Sequence, residues 1–582
     1  MNSPARPYST LEILETRIAP AAVFTFFDTD GDAVKVTSSK GTNAQLAAAF
    51  TLSGGVSGNP TKIDLSLVFG VTAVFGGADI SIIARPSALG DGFVSVGEII
   101  ASPVDLGKIV IDGDLGRIFV GDPLNAVPAL KSLTVASLGA LGTLSGAPDL
   151  GSSIDGRVGA LIVKGDIANA SVGVNGRIDA LTVTGSVFGN ITDSGFLQAN
   201  SFGAIKIGGD LRGGAGDRTG YLESSGRIDS LTVGGSILGG GGIQSGIVLA
   251  GSGTQDIGAV KVMHNIKAGG GNLSGRIHAQ NIASVTVGGS IVGGAGSEVL
   301  GVNPAGQIVA VNNLGPVKIT GNLEGGVGPG SGFIGVGGVL TSLSIGGSIF
   351  GGAGSAGFSA DSAGPISIVQ DINSGVTPSS VIVSISKATA AFTVGGSILG
   401  TSGAPVLVNF GGGVGAFAVK GSLTNVRLEG GSNLLGGATM AFKSITVGGS
   451  VEQTTISAGS SVLVPVASEV QIGVVKVGGD WIASNLLCGV DLVDGKAGDL
   501  NDRLALGSPI NTGTIAKIAS ITIKGQVQGT AAAGDQFGIV AEQIGSLSVG
   551  GKAYTLLAGP ASAADFITLG ATSDFKALEV LM

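Results

Sequence analysis

Aliphatic residues recur along this chain two positions apart with a polar residue between them, as at Leu231 and Val233, Val285 and Val287, and Ile521 and Ile523. Each pair belongs to a ten-residue pattern of which IDSLTVGGSI, residues 228–237, is a full copy. Seventeen copies begin at residues 106, 130, 158, 178, 202, 228, 257, 282, 314, 340, 363, 389, 414, 442, 472, 518 and 544. All but one of the gaps fall between 20 and 32 residues, a repeat length that marks a solenoid.

Positions four and six are apolar in every copy and position five is mostly Thr, Ser or Lys, which is the period-two pattern of a half-buried strand. Position eight is Gly in fourteen of the seventeen copies and position nine is usually Ser, Asp or Asn. That pairing predicts a corner with positive φ and a short side chain bonding its own backbone. Position ten returns to apolar, as at Ile237, Ile291, Ile349 and Trp481. Each unit is thus read as a strand, a corner and a second short strand, followed by a Gly-rich return. One unit cannot bury its apolar edge alone, whereas parallel stacking makes a continuous interior. The predicted fold is all-β, a parallel β-helix solenoid, right-handed by the general rule for parallel crossovers. At about 4.8 Å per rung, its seventeen coils make a rod of roughly 80 Å.

Two other repeat architectures fit less well. A leucine-rich repeat shares the spacing of apolar positions, but returns such as GGAGSEVLGVNPAGQ, residues 293–307, are too rich in Gly and Pro for a helix. A membrane β-barrel needs aromatic girdles at both interfaces, and this chain has one Trp and three Tyr.

The division along the chain follows from the repeat. Residues 1–22 form a tail or targeting motif and residues 23–105 a β-rich capping region. Residues 106–553 are the solenoid, with an insert at 482–517, and residues 554–582 supply closing strands such as FITLG and ALEVLM. Capping is expected because a solenoid leaves unpaired strand edges and apolar core at its ends. In the cap, FTFFDTDGDAVKVTSS alternates on both sides of DTDGD and predicts a β-hairpin, and IDLSLVF and ISIIA predict further strands. The gap of 46 residues between Ile472 and Ile518 is either a coil that has drifted beyond recognition or a projecting loop.

In the tail, LEILETRIAPA (residues 11–21) resembles the short N-terminal motif of the LEPR-XLL type found in very large bacterial surface proteins, with Leu11, Glu12, Leu14, Glu15 and Arg17 matching. Thr16 stands where that pattern has Pro, and Ala19-Pro20 replaces its Leu pair. The resemblance implies export or surface association. The same residues otherwise read as a plain N-terminal tail.

Composition narrows the functions. Gly makes up 107 of 582 residues and apolar residues 43%, so the chain has core material that a disordered Gly-rich chain lacks. A formal charge of −9 and the absence of a basic patch argue against a nucleic-acid partner. Cys488 is the single cysteine, so no internal disulfide framework exists. No apolar run reaches the length of a transmembrane helix.

Candidate chemistry is sparse. DTDGD sets Asp28, Asp30 and Asp32 at alternate positions of a tight turn, a spacing that gathers carboxylate oxygens around calcium. A solvated Asp-Gly hairpin turn explains the same residues without an ion. Asp491, Asp494, Asp499 and Asp502 crowd the insert, either as a cation site or as a solvated loop. Position five carries Thr182, Thr232, Thr286, Thr393, Thr446 and Thr522, interrupted by Lys206, Lys261, Lys318 and Lys476. Such a face superficially resembles the Thr arrays of ice-binding solenoids and could lie against glycan, a crystalline solid or another protein. Ordinary β-propensity on a solvent face explains it equally. Arg157, Arg177 and Arg227 precede strands that carry Asp179 and Asp229, and register would set Arg227 beside Asp256. His264 and His278 are the only histidines, which leaves a zinc site or a histidine triad without a seat. His264 reads as a structural residue at a corner.

The expected function is a non-catalytic extracellular or cell-surface protein, a spacer, adhesin-like stalk or envelope component. No cofactor is required, calcium being the exception that the acidic turn allows. The expected partners are cell-envelope glycan or other surface proteins. Parallel β-helices also include polysaccharide lyases and hydrolases, so a pectin-lyase-like enzyme is one alternative, and a glycan- or surface-binding module using the Thr/Ser face is another. Three or more charged residues from neighbouring coils converging in one groove would favour the enzyme.

Overall fold

The computed structural model describes residues 21–580 except 70–71, 125–127, 252–254, 297–304, 378–379, 435–438, 462–463, 466–467, 506–513, 533, 558 and 560–564. Of the LEPR-XLL-like motif, only Ala21 lies among them.

The seventeen aliphatic strands stack in parallel, the first position of each copy opposite the first position of the next, from Leu106↔Leu130 to Ile518↔Ile544. Sequence copies and structural rungs therefore coincide, and the fold is the all-β parallel solenoid that the repeat predicts. Inward residues account for the register: Ile228, Leu231 and Val233 are at most 1% exposed, and so are their counterparts Ile282, Val285 and Val287. Each such side chain contributes about 1.5–3 kcal/mol when fully buried, and a slip of one residue would turn the whole set outward. These residues join one apolar interior running from Ala22 in the cap to Ala577 near the other end.

Each coil has three strands where the repeat predicts two. After the two-residue strand at position ten (Ile237–Leu238), the Gly-rich return itself pairs, as Ile247–Ala250 stacked between Tyr221–Ser224 and Arg276–Ala279. Along this third face Leu222, Val248, Ile277, Ile308 and Ile334 fill the interior, all fully buried.

The corners work differently from the expectation. Gly235, Gly289 and Gly347 do not adopt the left-handed region, whereas Gly551 in the last copy does, at φ +80°. The first three are needed because the side chain at position nine reaches up from the coil before. A Cβ on Gly289 would stand 2.2 Å from Asn265 Oδ1, and one on Gly235 2.1 Å from Asp210 Oδ1. The position-nine oxygen bonds the backbone N–H of the next coil, not its own backbone. The run Asp166, Ser186, Asp210, Ser236, Asn265, Ser290, Asn322, Ser348, Asp371, Ser397, Ser422, Ser450, Asp480 accepts in turn from the following coil, ending at Gln526 N–H, over 2.7–3.2 Å. His264 and Gln370 replace Gly in this run. Both stand above a serine, and theirs are the two longest bonds, 3.2 Å each.

The N-terminal region closes one end. Ala22–Phe27 and Ala33–Ser38 form the predicted hairpin, and Ile80–Arg85 joins it antiparallel while pairing in parallel with the first coil at Ile109–Ile111. Val96–Ile100 continues the second face onto residues 115–119. The segment predicted as one strand, IDLSLVF, divides between Pro60–Asp64 and Val68–Phe69. A short helix, Asn43–Ala48, starts at a capping box of Thr42 and Gln45. Arg117 ties cap to coil, bonding Glu98 at 2.6 Å and Asp149 at 2.5 Å. At the other end Phe566–Leu569 and Phe575–Glu579 form an antiparallel pair, the second strand extending the third face from Phe537–Ala541.

The long gap is a projecting loop, since Ile472 pairs directly with Ile518 and Trp481 with Val527. The third-face strand Asn485–Cys488 stays in the ladder, and residues 490–505 leave it to form an antiparallel pair of their own, Val490↔Leu504 and Asp491↔Arg503.

Candidate metal centre and outer faces

Gly31, at φ +94°, closes the DTDGD turn and turns Asp28 and Asp32 inward while Asp30 remains exposed. A loop of the same cap, residues 86–93, folds over this turn. Asp32 accepts the N–H of Ser87 on one carboxylate oxygen (2.5 Å) and that of Gly92 on the other (2.6 Å). Asp30 accepts from Asp91 N–H (3.1 Å), and Asp28 Oδ1 from Asp32 N–H (2.7 Å). Gly90 is forced by this arrangement, because its Cβ would lie 1.6 Å from Asp32 Oδ1.

One ligand oxygen from each of the three carboxylates lies within 4.8 Å of the others. Asp28 Oδ2 is buried and lacks a hydrogen-bond partner among the described residues, in a side chain whose residue is 5% exposed. Burial, then the adjacent Asp30, pushes the Asp28 carboxyl up to about 6. Asp30 is lowered, chiefly because the Asp28 carboxyl, when protonated, can donate to it. Crowded carboxylates with an unpartnered buried oxygen are a hard, anionic donor set, and this cluster can coordinate a divalent cation. The wall beside it is a cleft of about 410 Å³ between the cap and the first coils, with Asp30 on its edge.

The six threonines share the outward face of the first strand, but no two occupy neighbouring rungs. The register reads Thr182, Lys206, Thr232, Lys261, Thr286, Lys318, then Ser344, Ser367, Thr393, Ala418, Thr446, Lys476, Thr522. Threonines therefore alternate with lysines over the first six of these rungs, each type returning at about 9.6 Å. Beside them, Arg157 and Arg177 bond Asp179 at 2.7 and 3.2 Å, and Arg177 reaches Asp229 at 2.6 Å across the intervening Gly203. Ile228 pairs with Ile257, so Arg227 does neighbour Asp256, yet its guanidinium turns to Asp229 (3.2 Å) while Asp256 takes Asn281 (2.9 Å).

The insert's four aspartates do not converge among the described residues. Asp491 pairs with Arg503 (3.0 Å), and Asp494, Asp499 and Asp502 each accept a separate backbone N–H, from Lys496, Asn501 and Gly498. Burial pushes the Asp502 carboxyl up to about 7. His264 sits exposed at its corner, whereas His278 lies on the third face, where burial and then Arg276 hold it down to about 4. On that same face a groove of about 180 Å³ contains Arg427 and Glu429, bonded to each other at 2.7 Å, with Asn409 beside them. It gathers one carboxylate and one guanidinium, from a single coil.

The alternate-carboxylate spacing in DTDGD was the legible signal for the cluster. The covering loop SALGDG could not be assigned to it from sequence, since its contribution is backbone N–H groups. Comparison with protein families, with curated proteins and with solved structures found no match to this chain.

Proposed function

We propose that this chain is a non-catalytic extracellular or cell-surface protein, a structural or adhesin-like rod with calcium at its N-terminal cap. The observation that supports this reading is the unbroken register of seventeen coils between two ends closed by antiparallel strands. Parallel ladders and a line of corner hydrogen bonds make every coil brace its neighbours, which suits a stiff spacer. No helix among the described residues is long and apolar enough to cross a membrane. The test is protease shaving of intact cells carrying a tagged copy, followed by fractionation. Loss of the tag to external protease supports the reading, and full protection within the cytosolic fraction overturns it.

A second reading is a glycan- or surface-binding module on the outward first-strand face, favoured by the regular alternation of Thr and Lys there. Cell-wall pulldown with Thr232, Thr286 and Thr393 changed to Glu is expected to lose retention. Unchanged retention rejects that face.

A further inference from the structure

The cleft beside the acidic turn has a composition unlike the rest of the surface. It is lined in part by Thr29, Asp30, Asn59, Asp91, Phe93 and Leu141. Phe93 is 55% exposed and Leu141 47%, in a chain with 4% aromatic residues. Asn59 Oδ1 is buried at the atom level and has no hydrogen-bond partner among the described residues. An open aromatic ring beside the exposed carboxylates of Asp30 and Asp91 is the lining of a ligand site. Asp114, deeper in the wall, is already saturated by Ser137 Oγ (2.7 Å) and the N–H groups of Ala140 (3.0 Å) and Leu141 (3.1 Å).

Calcium takes about six to eight oxygen ligands, more than three carboxylates supply when each gives one oxygen. Backbone N–H groups already occupy lone pairs on both Asp32 oxygens, on Asp28 Oδ1 and on Asp30 Oδ2, which limits bidentate binding. The remaining positions must come from outside the cluster. Asp28 and Asp32 are buried, and Asp30 alone is exposed and on the cleft wall, so the open side faces the cleft.

We propose that calcium held by Asp28, Asp30 and Asp32 turns its open coordination positions into this cleft and there binds vicinal hydroxyls of a saccharide whose apolar face rests on Phe93. A neutral polyol fits better than an anion. Asp30, Asp91 and Asp114 make the wall acidic and would repel a phosphate or carboxylate, while hydroxyls both coordinate the cation and donate to the exposed Asp91. This rests on the calcium reading above, and the two are separable by experiment.

Calorimetric titration of the full chain, freed of metal by chelator, uses calcium chloride first and then methyl α-mannoside or methyl α-galactoside, whose diols differ in orientation. The expected result is one calcium per chain, and glycoside heat with at least one of the two only after calcium is bound. Asp30→Asn should lower affinity for both calcium and glycoside at least tenfold. Phe93→Ala, at an exposed position, should weaken the glycoside at least tenfold and leave calcium within twofold, with an unchanged melting temperature. Calcium binding without either glycoside overturns the saccharide proposal and leaves the calcium reading standing. No calcium binding overturns both, and glycoside binding that persists in chelator overturns the bridging role of the ion.

Discussion

A methyl group added to Gly289 would collide with Asn265 Oδ1, the atom that accepts from Ser290 N–H at 2.8 Å. Gly289→Ala must therefore push the amide aside and break a rung of the corner ladder. Leaving such a group unsatisfied costs about 1–3 kcal/mol, and urea denaturation should register a loss in that range with an unchanged slope. At His264 the side chain is accommodated with a lengthened bond, Asn265 N–H to Ser236 Oγ at 3.2 Å. Charge gives a second test at this scale. Asp502 is 8% exposed, and burial raises its carboxyl from its ordinary 3.8 to about 7. A raised acid favours its protonated form in the fold, so its contribution is complete below about pH 4 and is lost as pH rises through about 7. Asp502→Asn keeps an acceptor for Gly498 N–H and removes the titration. Its melting temperature relative to the parent should rise between about pH 5 and pH 8, and a constant difference would refute the burial argument.

Among elements, the projecting segment 490–505 separates what the ladder needs from what leans on it. Trp481 is fully buried, bonded through Nε1 to Ser484 O at 2.9 Å, and its coil pairs past the insert. Val490 and Ala497 of the insert, in contrast, pack with Leu487, Val540 and Leu578 in a satellite cluster over the C-terminal strands. Replacing 490–514 by a short Gly/Ser linker, which keeps the core residue Ala516, should leave the Trp481 emission maximum unchanged and raise hydrogen exchange in Phe566–Leu569 and Phe575–Glu579. A red shift of Trp481 would mean the insert belongs to the ladder. The strands legible in sequence were those with three inward aliphatic residues, such as Ile228, Leu231 and Val233. The third-face strands escaped notice because inward alternation is short there, as Leu222 and Ser224, and because the outward neighbours Tyr221 and Ile247 are also buried. Corner glycine is legible as a fixed position but not in its cause, since a clash with the previous coil, as at Gly289, leaves the same trace in sequence as a positive φ, as at Gly551. The acidic turn was legible from its spacing alone; its covering loop acts through backbone and carries no side-chain signature.

At the scale of the whole molecule, the strands of each coil pair only with those of its neighbours, and a few surface ion pairs such as Arg177–Asp229 reach one coil further, so damage should stay near where it is made. Phe392, Phe410 and Phe417 form an aromatic knot inside the solenoid, with the Phe392 and Phe417 rings stacked 5.5 Å apart at 4° and Phe410 edge-on to both. All three are fully buried. Phe417→Ala removes a ring that neighbours cannot replace without leaving register, at a cost of about 3–5 kcal/mol. In a globular domain of one cooperative unit that cost would be felt everywhere. Here hydrogen exchange should rise in the three coils from 389 to about 447 and fall off toward either end, leaving the Ala22–Phe27 and Ala33–Ser38 hairpin as protected as in the parent. Chelation of calcium should give the complementary map, loosening that hairpin and residues 86–93 and leaving the aromatic knot protected. Uniform loss of protection along the chain in either experiment would contradict a molecule whose stability is summed rung by rung.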